Sequence, residues 1–312
     1  MIHFDLASRP KVISTHINCL NKDYLIESLS TSTINRELKT YINDNLYEII
    51  TGTPDVIQKL NTRFKRLKSY SESKIVLGKI RAIFNYEKFG SKSVRLYDAY
   101  DLANNLDVRT CLYCNRMYTI TVVKGTKRDE KVTRPQFDHF FDKAKNPLLA
   151  LSIYNLIPSC TICNSSLKGK KEFTLSGYMH PYIDNYINQY SYKFIPHNVS
   201  SILGQKSNLE VEIDIKALSL IDGVKIKKTS DIFKLSAVMS GHSEELKDLF
   251  DIRYKFSQRY FMELFSTYKK LGLSYEEVYR IVFGVHFIED NFNQRPFSKL
   301  KKDLLKELNI IT

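Results

Sequence analysis

Apolar residues return at helical spacing through the first third of the chain. Ile34, Leu38, Tyr41, Ile42 and Ile49 form one stripe, and Gly52 follows as a stop. Val56, Leu60, Phe64 and Leu67 form a second stripe, whose opposite face carries Lys59, Arg63, Arg66 and Lys68. The pattern changes after about residue 105. Thr119, Thr121, Val122 and Val123, followed by Gly125, predict a hairpin over 119–137, and a helix is expected to open near Ser159. Beyond residue 180, Tyr190, Tyr192 and Phe194 alternate with polar neighbours, as do Leu209, Val211, Ile213 and Ile215, which predicts two strands. Helices then return. Leu246, Leu249, Phe250, Phe256, Tyr260 and Leu264 read as one buried stripe ended by Gly272. Ser274 and Glu277 read as a capping box for a helix with Val278, Ile281, Val282 and Val285 inside, and Phe297, Leu300, Leu304 and Leu308 as a terminal helix. The expected class is α+β, with a helical region 1–105, a distinct core 106–180, and a mixed, mainly helical region 181–312. No internal repeat interrupts this order.

Composition sharpens the picture in two ways. At 43% hydrophobic residues the 312-residue chain can build a core, which argues against disorder. A formal charge of +13 suits a polyanionic partner, because neutralising phosphate releases counterions. No apolar run is long enough to span a bilayer, and the polar start "MIHFDLASRPKVISTHINCL" does not read as a signal peptide, so no membrane partner and a cytoplasmic location are expected.

Chemistry concentrates in residues 106–180. Cys111-x-x-Cys114 and Cys160-x-x-Cys163 each place two thiolates on one tight turn, and two such turns complete the tetrahedral four-sulfur geometry of structural zinc. The rival, a redox C-x-x-C pair, lacks a thioredoxin-like βαβ pattern around either motif. Cys19 is left over and reads as a small core residue. Between and beside the knuckles stand Asp138, His139, Asn155, Asn164 and Lys168. A histidine near its ordinary pKa can deprotonate water. Asp138 and Asn164 offer hard oxygens that suit magnesium or manganese. Asn155 can tie down the loop after His139, and Lys168 shares a helix face with Asn164. Taken singly, each could be a turn residue or a solvated charge; their order and confinement are the signal. His180 reads as a buried histidine bonded to backbone, with a phosphate contact or an extra orienting group near the site as the rival. His3, His16, His197, His242 and His286 carry no pattern and read as structural.

This stretch resembles the HNH nucleases, whose ββα-metal core is a hairpin and a helix around one divalent ion. Asp138-His139 matches the first position of the motif, Asn155 the middle one and Asn164 the third. The paired knuckles and "CNSSLKG" are similar to the zinc-bearing branch. The likeness covers about 60 residues, and Asp142 stands where that branch has proline. It implies a zinc-stapled HNH core, with His139 as general base and the catalytic Mg²⁺ or Mn²⁺ on Asp138 and Asn164. It further implies a structural Asn155 and a Lys168 that contacts phosphate. "CLYCNR", "HPY" and "RPFSKLKKDL" look similar to the nuclease subunits of Septu-type anti-phage systems, which pair with an ABC-type ATPase. The expectation is therefore a metal-dependent endonuclease of nucleic acid, DNA favoured over RNA, in anti-phage defence. Two alternatives stay open: a non-catalytic zinc-ribbon nucleic-acid binder, and a nuclease gated by an ATPase partner.

Overall fold

The computed structural model describes residues 1–20, 24–90, 97–125, 130–195, 199–202 and 209–311. Residues 126–129, where the turn of the expected hairpin falls, and His197 lie outside the described residues. The protein is α+β, mainly helical with small antiparallel two-stranded sheets. The chain forms two compact units, one of residues 5–108 and 119–175, the other of residues 1–4, 109–118 and 176–312. No helix among the described residues is long and apolar enough to cross a membrane.

Among the described residues the first unit opens with eight helices: α1 (Pro10–Leu20), α2 (Ile26–Thr31), α3 (Arg36–Asp44), α4 (Leu46–Thr51), α5 (Pro54–Lys65), α6 (Lys74–Ile83), α7 (Tyr86–Gly90) and α8 (Ala99–Leu106). The Ile34–Ile49 stripe is one buried face on two helices, broken at Asn45, whose side-chain amide donates to the Tyr41 carbonyl. Leu38, Ile42 and Ile49 are fully buried, each contributing on the order of 2 kcal/mol by burial. Proline at the first position of α5 sets its start, and Ile57, Leu60 and Phe64 are its buried face, with Val56 only half-buried and Leu67 beyond its end. Asp98 and Asp101 close a capping box on α8, and buried Lys131 pairs with the same Asp98.

Among the described residues four strands follow. β1 (Val122–Val123) pairs with β2 (Lys131–Thr133), and β3 (Gln136–His139) pairs antiparallel with β4 (Leu156–Ser159), setting Asp138 opposite Ile157 and His139 opposite Leu156. A short helix, Ile162–Lys168, comes directly after β4. The expected opening near Ser159 shifts to Thr161, and Ser159 does not cap the helix; its hydroxyl donates to the Gln136 carbonyl across the strand pair at 3.3 Å. Cys160 takes over the capping task. Its sulfur accepts from the Cys163 N–H at 3.4 Å and its carbonyl from the Asn164 N–H at 3.0 Å.

In the second unit, β5 (Tyr190–Ile195) pairs with β6 (Glu210–Ile215) in the register Tyr190 opposite Ile215. The helices are α9 (Val199–Ile202), α10 (Leu220–Ile232), α11 (Leu235–Ser240), α12 (Ser243–Lys255), α13 (Gln258–Lys270), α14 (Tyr275–Phe283) and α15 (Ser298–Glu307). A two-stranded sheet leaves two bare edges. Here side chains cover them: Asp303 and Glu307 of α15 accept from the Tyr192 and Phe194 N–H groups, and Ser240 accepts from Val211 N–H. The single stripe expected over 246–264 is two helices, because Ser257 caps α13 through the Tyr260 N–H and leaves Phe256 and Tyr260 exposed. The capping box at Ser274 and Glu277 is present, but the inner face of α14 is Val278, Tyr279 and Phe283, while Ile281 is exposed. His180 is fully buried, its Nδ1 accepting from the Tyr182 N–H at 3.3 Å.

Candidate active site and metal centre

The four paired cysteines meet. All are buried, none is in a disulfide, and the sulfurs of Cys111, Cys114, Cys160 and Cys163 lie within 4.8 Å of one another. A zinc–thiolate bond of about 2.3 Å gives tetrahedral sulfur–sulfur edges of about 3.8 Å, so the cluster fits a zinc ion with a small contraction. Backbone N–H groups already point at two of the sulfurs, Arg116 N–H at Cys114 and Cys163 N–H at Cys160, both at 3.4 Å. Such bonds stabilise thiolate charge, which a metal site requires. The first knuckle is tightened by the Asn115 N–H on the Cys111 carbonyl at 2.8 Å, with Asn115 in the left-handed region. The four cysteines can therefore hold a structural zinc ion. With four protein ligands it would have no open position for chemistry.

A separate cavity of about 380 Å³ lies in the first unit, lined among others by Gln136, Asp138, His139, Asn164 and Lys168. Neighbouring strand residues ordinarily face opposite sides, yet Asp138 and His139 both line this cavity, the strand ending at His139. His139 is nearly buried, and its Nε2 lies 3.0 Å from the Ala150 carbonyl. A carbonyl can only accept, so Nε2 carries the proton and Nδ1 keeps a lone pair. Burial pulls the imidazole pKa down to about 3, opposed by the Ala150 bond and helped by the nearby Lys143 and Lys168 charges. The ring is neutral near pH 7 and packs edge-on against Tyr86, with centroids 4.5 Å apart.

Lys168 has Asp138 as its first partner. Its ammonium donates to both Asp138 oxygens at 2.8 Å and to the His139 carbonyl at 2.5 Å, and it is only 3% exposed. Asn164 donates through Nδ2 to Gln136 Oε1 at 2.8 Å, which commits its amide nitrogen and leaves Oδ1 as an acceptor. The helix carrying both residues is wound wide, the Gly169 N–H reaching back five residues to the Asn164 carbonyl. Gly169, at φ 54°, supplies the left-handed turn that ends it.

Asn155 does not line the cavity. It is fully buried behind it, accepting from the Phe141 N–H at 2.7 Å and donating to the Phe141 and Leu149 carbonyls. The next two carbonyls are also engaged, Ala150 by His139 and Leu151 by His16 Nε2 at 2.9 Å. Three successive carbonyls of one loop thus each meet a buried side chain. His16, without motif context in the sequence, braces the loop that orients His139, and Tyr97 meets its other nitrogen at 3.0 Å. Gln136 belongs to no motif in the sequence, although its position two residues before Asp138 on a strand puts both on one face.

His16 makes a pH prediction. Burial lowers its pKa from 6.5 to about 4, the Leu151 bond opposing. Between those values the unfolded chain binds the proton and the folded chain does not. The stability this group contributes is whole above about pH 6.5 and is lost as pH falls toward 4. Denaturant melts across pH 4–7 should show this slope, and His16→Gln should make it shallower, leaving the share of His139, whose pKa burial also lowers. An unchanged slope in the variant would rule His16 out as its source.

No family model, curated protein or solved structure matches the chain.

Proposed function

We propose that this chain is a metal-dependent endonuclease of the HNH kind, acting on phosphodiesters of nucleic acid, with DNA favoured over RNA. The observation that carries the reading is His139. Its Nε2 is committed to a backbone carbonyl and its ring is held neutral by burial. It shares one cavity with two aspartates, two amide side chains and several cations. A neutral imidazole with one free nitrogen can take a proton from water as that water attacks phosphorus. The β3–β4 pair followed by the helix Ile162–Lys168 is compatible with a ββα arrangement, and the four-cysteine cluster with a scaffolding zinc.

The oxygen donors a hard divalent ion would take are the Asp138 carboxylate, whose two oxygens the Lys168 ammonium holds, and Asn164 Oδ1. Magnesium or manganese held there would stabilise negative charge on the departing 3′-oxygen. Lys168 shares the Asp138 carboxylate, neutralising it and holding it beside the His139 backbone. Asn155 and His16 keep the loop carbonyls in place, so the imidazole needs no reorganisation at the moment of reaction. The products would carry 5′-phosphate and 3′-hydroxyl ends.

The test is cleavage of plasmid DNA and structured RNA in manganese, magnesium and EDTA, by wild type and by His139→Ala. Membership of an anti-phage system and pairing with an ATPase rest on sequence resemblance alone. A purified chain that cuts only after the ATPase is added would establish that gating.

Lys168→Gln supplies a second test, independent of activity. Removing one partner of a buried ion pair costs about 3–5 kcal/mol, so the variant should lose stability in EDTA. Manganese should restore part of that loss, because a cation returns to Asp138. Denaturant midpoints with and without the ion measure both effects; a variant insensitive to manganese would count against a metal at Asp138.

A further inference from the structure

A second cavity of about 340 Å³ adjoins the first, and Asp142 lines both. One wall carries Gln58, Thr62 and Lys65 of α5 and Arg66, the residue that follows it. The floor is built: buried Asn61 and the Lys65 ammonium converge on Asn146 Oδ1 at 2.7 and 2.9 Å. This fixes the wall against the loop that follows the His139 strand. Among the described residues the Arg66 guanidinium is exposed and forms no ion pair. The acid on the far side, Glu172, is already engaged by Lys145 at 2.7 Å. In the first cavity the Asp138 charge is met by Lys168. What remains in the linings of the two cavities is an excess of positive charge, Arg134 and Lys171 in the first and Lys65 and Arg66 in the second, with Asp142 common to both.

We propose that the α5 cavity is the seat of a DNA backbone phosphate flanking the one at His139, with Lys65 and Arg66 as its contacts. The inference rests on the nuclease reading of the neighbouring cavity and extends it to the path of the substrate. A strand whose scissile phosphate lies at His139 must continue past Asp142, and the polar, cationic trough is the continuation available on that side. Phe141 and Phe173 also line it but are nearly buried, so they offer no ring face for stacking bases. The recognition is therefore of backbone charge and is indifferent to base sequence.

The experiment uses the full chain carrying His139→Ala, so that DNA is bound and not cut. Anisotropy of a short labelled duplex, over a range of salt concentrations, gives the slope of log K against log salt. Arg66→Gln and Lys65→Gln should each lower that slope by about one and weaken binding equally on unrelated sequences. Lys269→Gln with Lys270→Gln on α13 removes the same total charge as the α5 pair and should leave the slope unchanged. Slopes unaltered by the α5 changes, an equal drop in the α13 control, or no binding by the parent would each overturn the proposal. Failure of the nuclease reading looks different: the slope responds to α5, yet wild type shows no cleavage that depends on His139.

Discussion

Cleavage by His139→Ala should fall about 10²–10⁴-fold below wild type, the usual range for a lost general base, with the fold and zinc content retained. The expected size follows from the geometry. Among the residues lining the cavity, His139 is the only imidazole, neutral near pH 7 and with one ring nitrogen that carries no proton. Asp138 is committed to Lys168, and Asn164 and Gln136 are amides that cannot take a proton. The alanine variant also strands the buried Ala150 carbonyl, which should cost about 1–3 kcal/mol of stability. His139→Gln separates the two losses, since a glutamine amide can donate to that carbonyl but cannot act as a base. Both variants should be inactive, with the glutamine variant closer to wild type in stability. Wild-type turnover by either would remove His139 from the mechanism, and with it the strongest support for a nuclease.

Cys111→Ser should release zinc and destabilise the chain. Structural zinc sites bind with apparent free energies of about 10–16 kcal/mol, and that binding is folding energy. Losing even about 4 kcal/mol would lower the melting temperature by about 8–16 °C in a domain of this size range. The geometry behind the prediction is the close approach of four buried sulfurs without a disulfide. Elemental analysis should find one zinc per wild-type chain and less than one in the variant. Equal zinc content and an unchanged melting temperature would refute the staple. Cys163→Ser offers a second reading of the same site. It also perturbs the helix start that carries Asn164, so its loss of cleavage should accompany its loss of zinc.

Much of the local structure was legible because it depends on short spacings. The β5 and β6 alternation, the capping box at Ser274 and Glu277, and the paired knuckles all work through neighbours within a few residues. The structure departs from the periodic pattern where a polar residue outranks an apolar period. Asn45 and Ser257 satisfy backbone groups more cheaply than a continued helix does, so each breaks a stripe that periodicity alone would carry through. The start of the helix after β4 was misplaced for a related reason. A cysteine does the capping there, and its sulfur and carbonyl are aimed by the knuckle rather than by residue preference.

By itself the sequence determined which side chains could do chemistry: four thiols in two tight pairs, and Asp138, His139, Asn155, Asn164 and Lys168 in a short run. These follow from residue type and spacing. Only the tertiary structure decided what each side chain is bonded to. It set Lys168 on Asp138, Gln136 on Asn164, and His139, His16 and Asn155 on three successive loop carbonyls. Those pairings join residues as far apart in the chain as His16 and Leu151. No local pattern encodes them, because burial makes each polar group find a partner wherever packing brings one within reach.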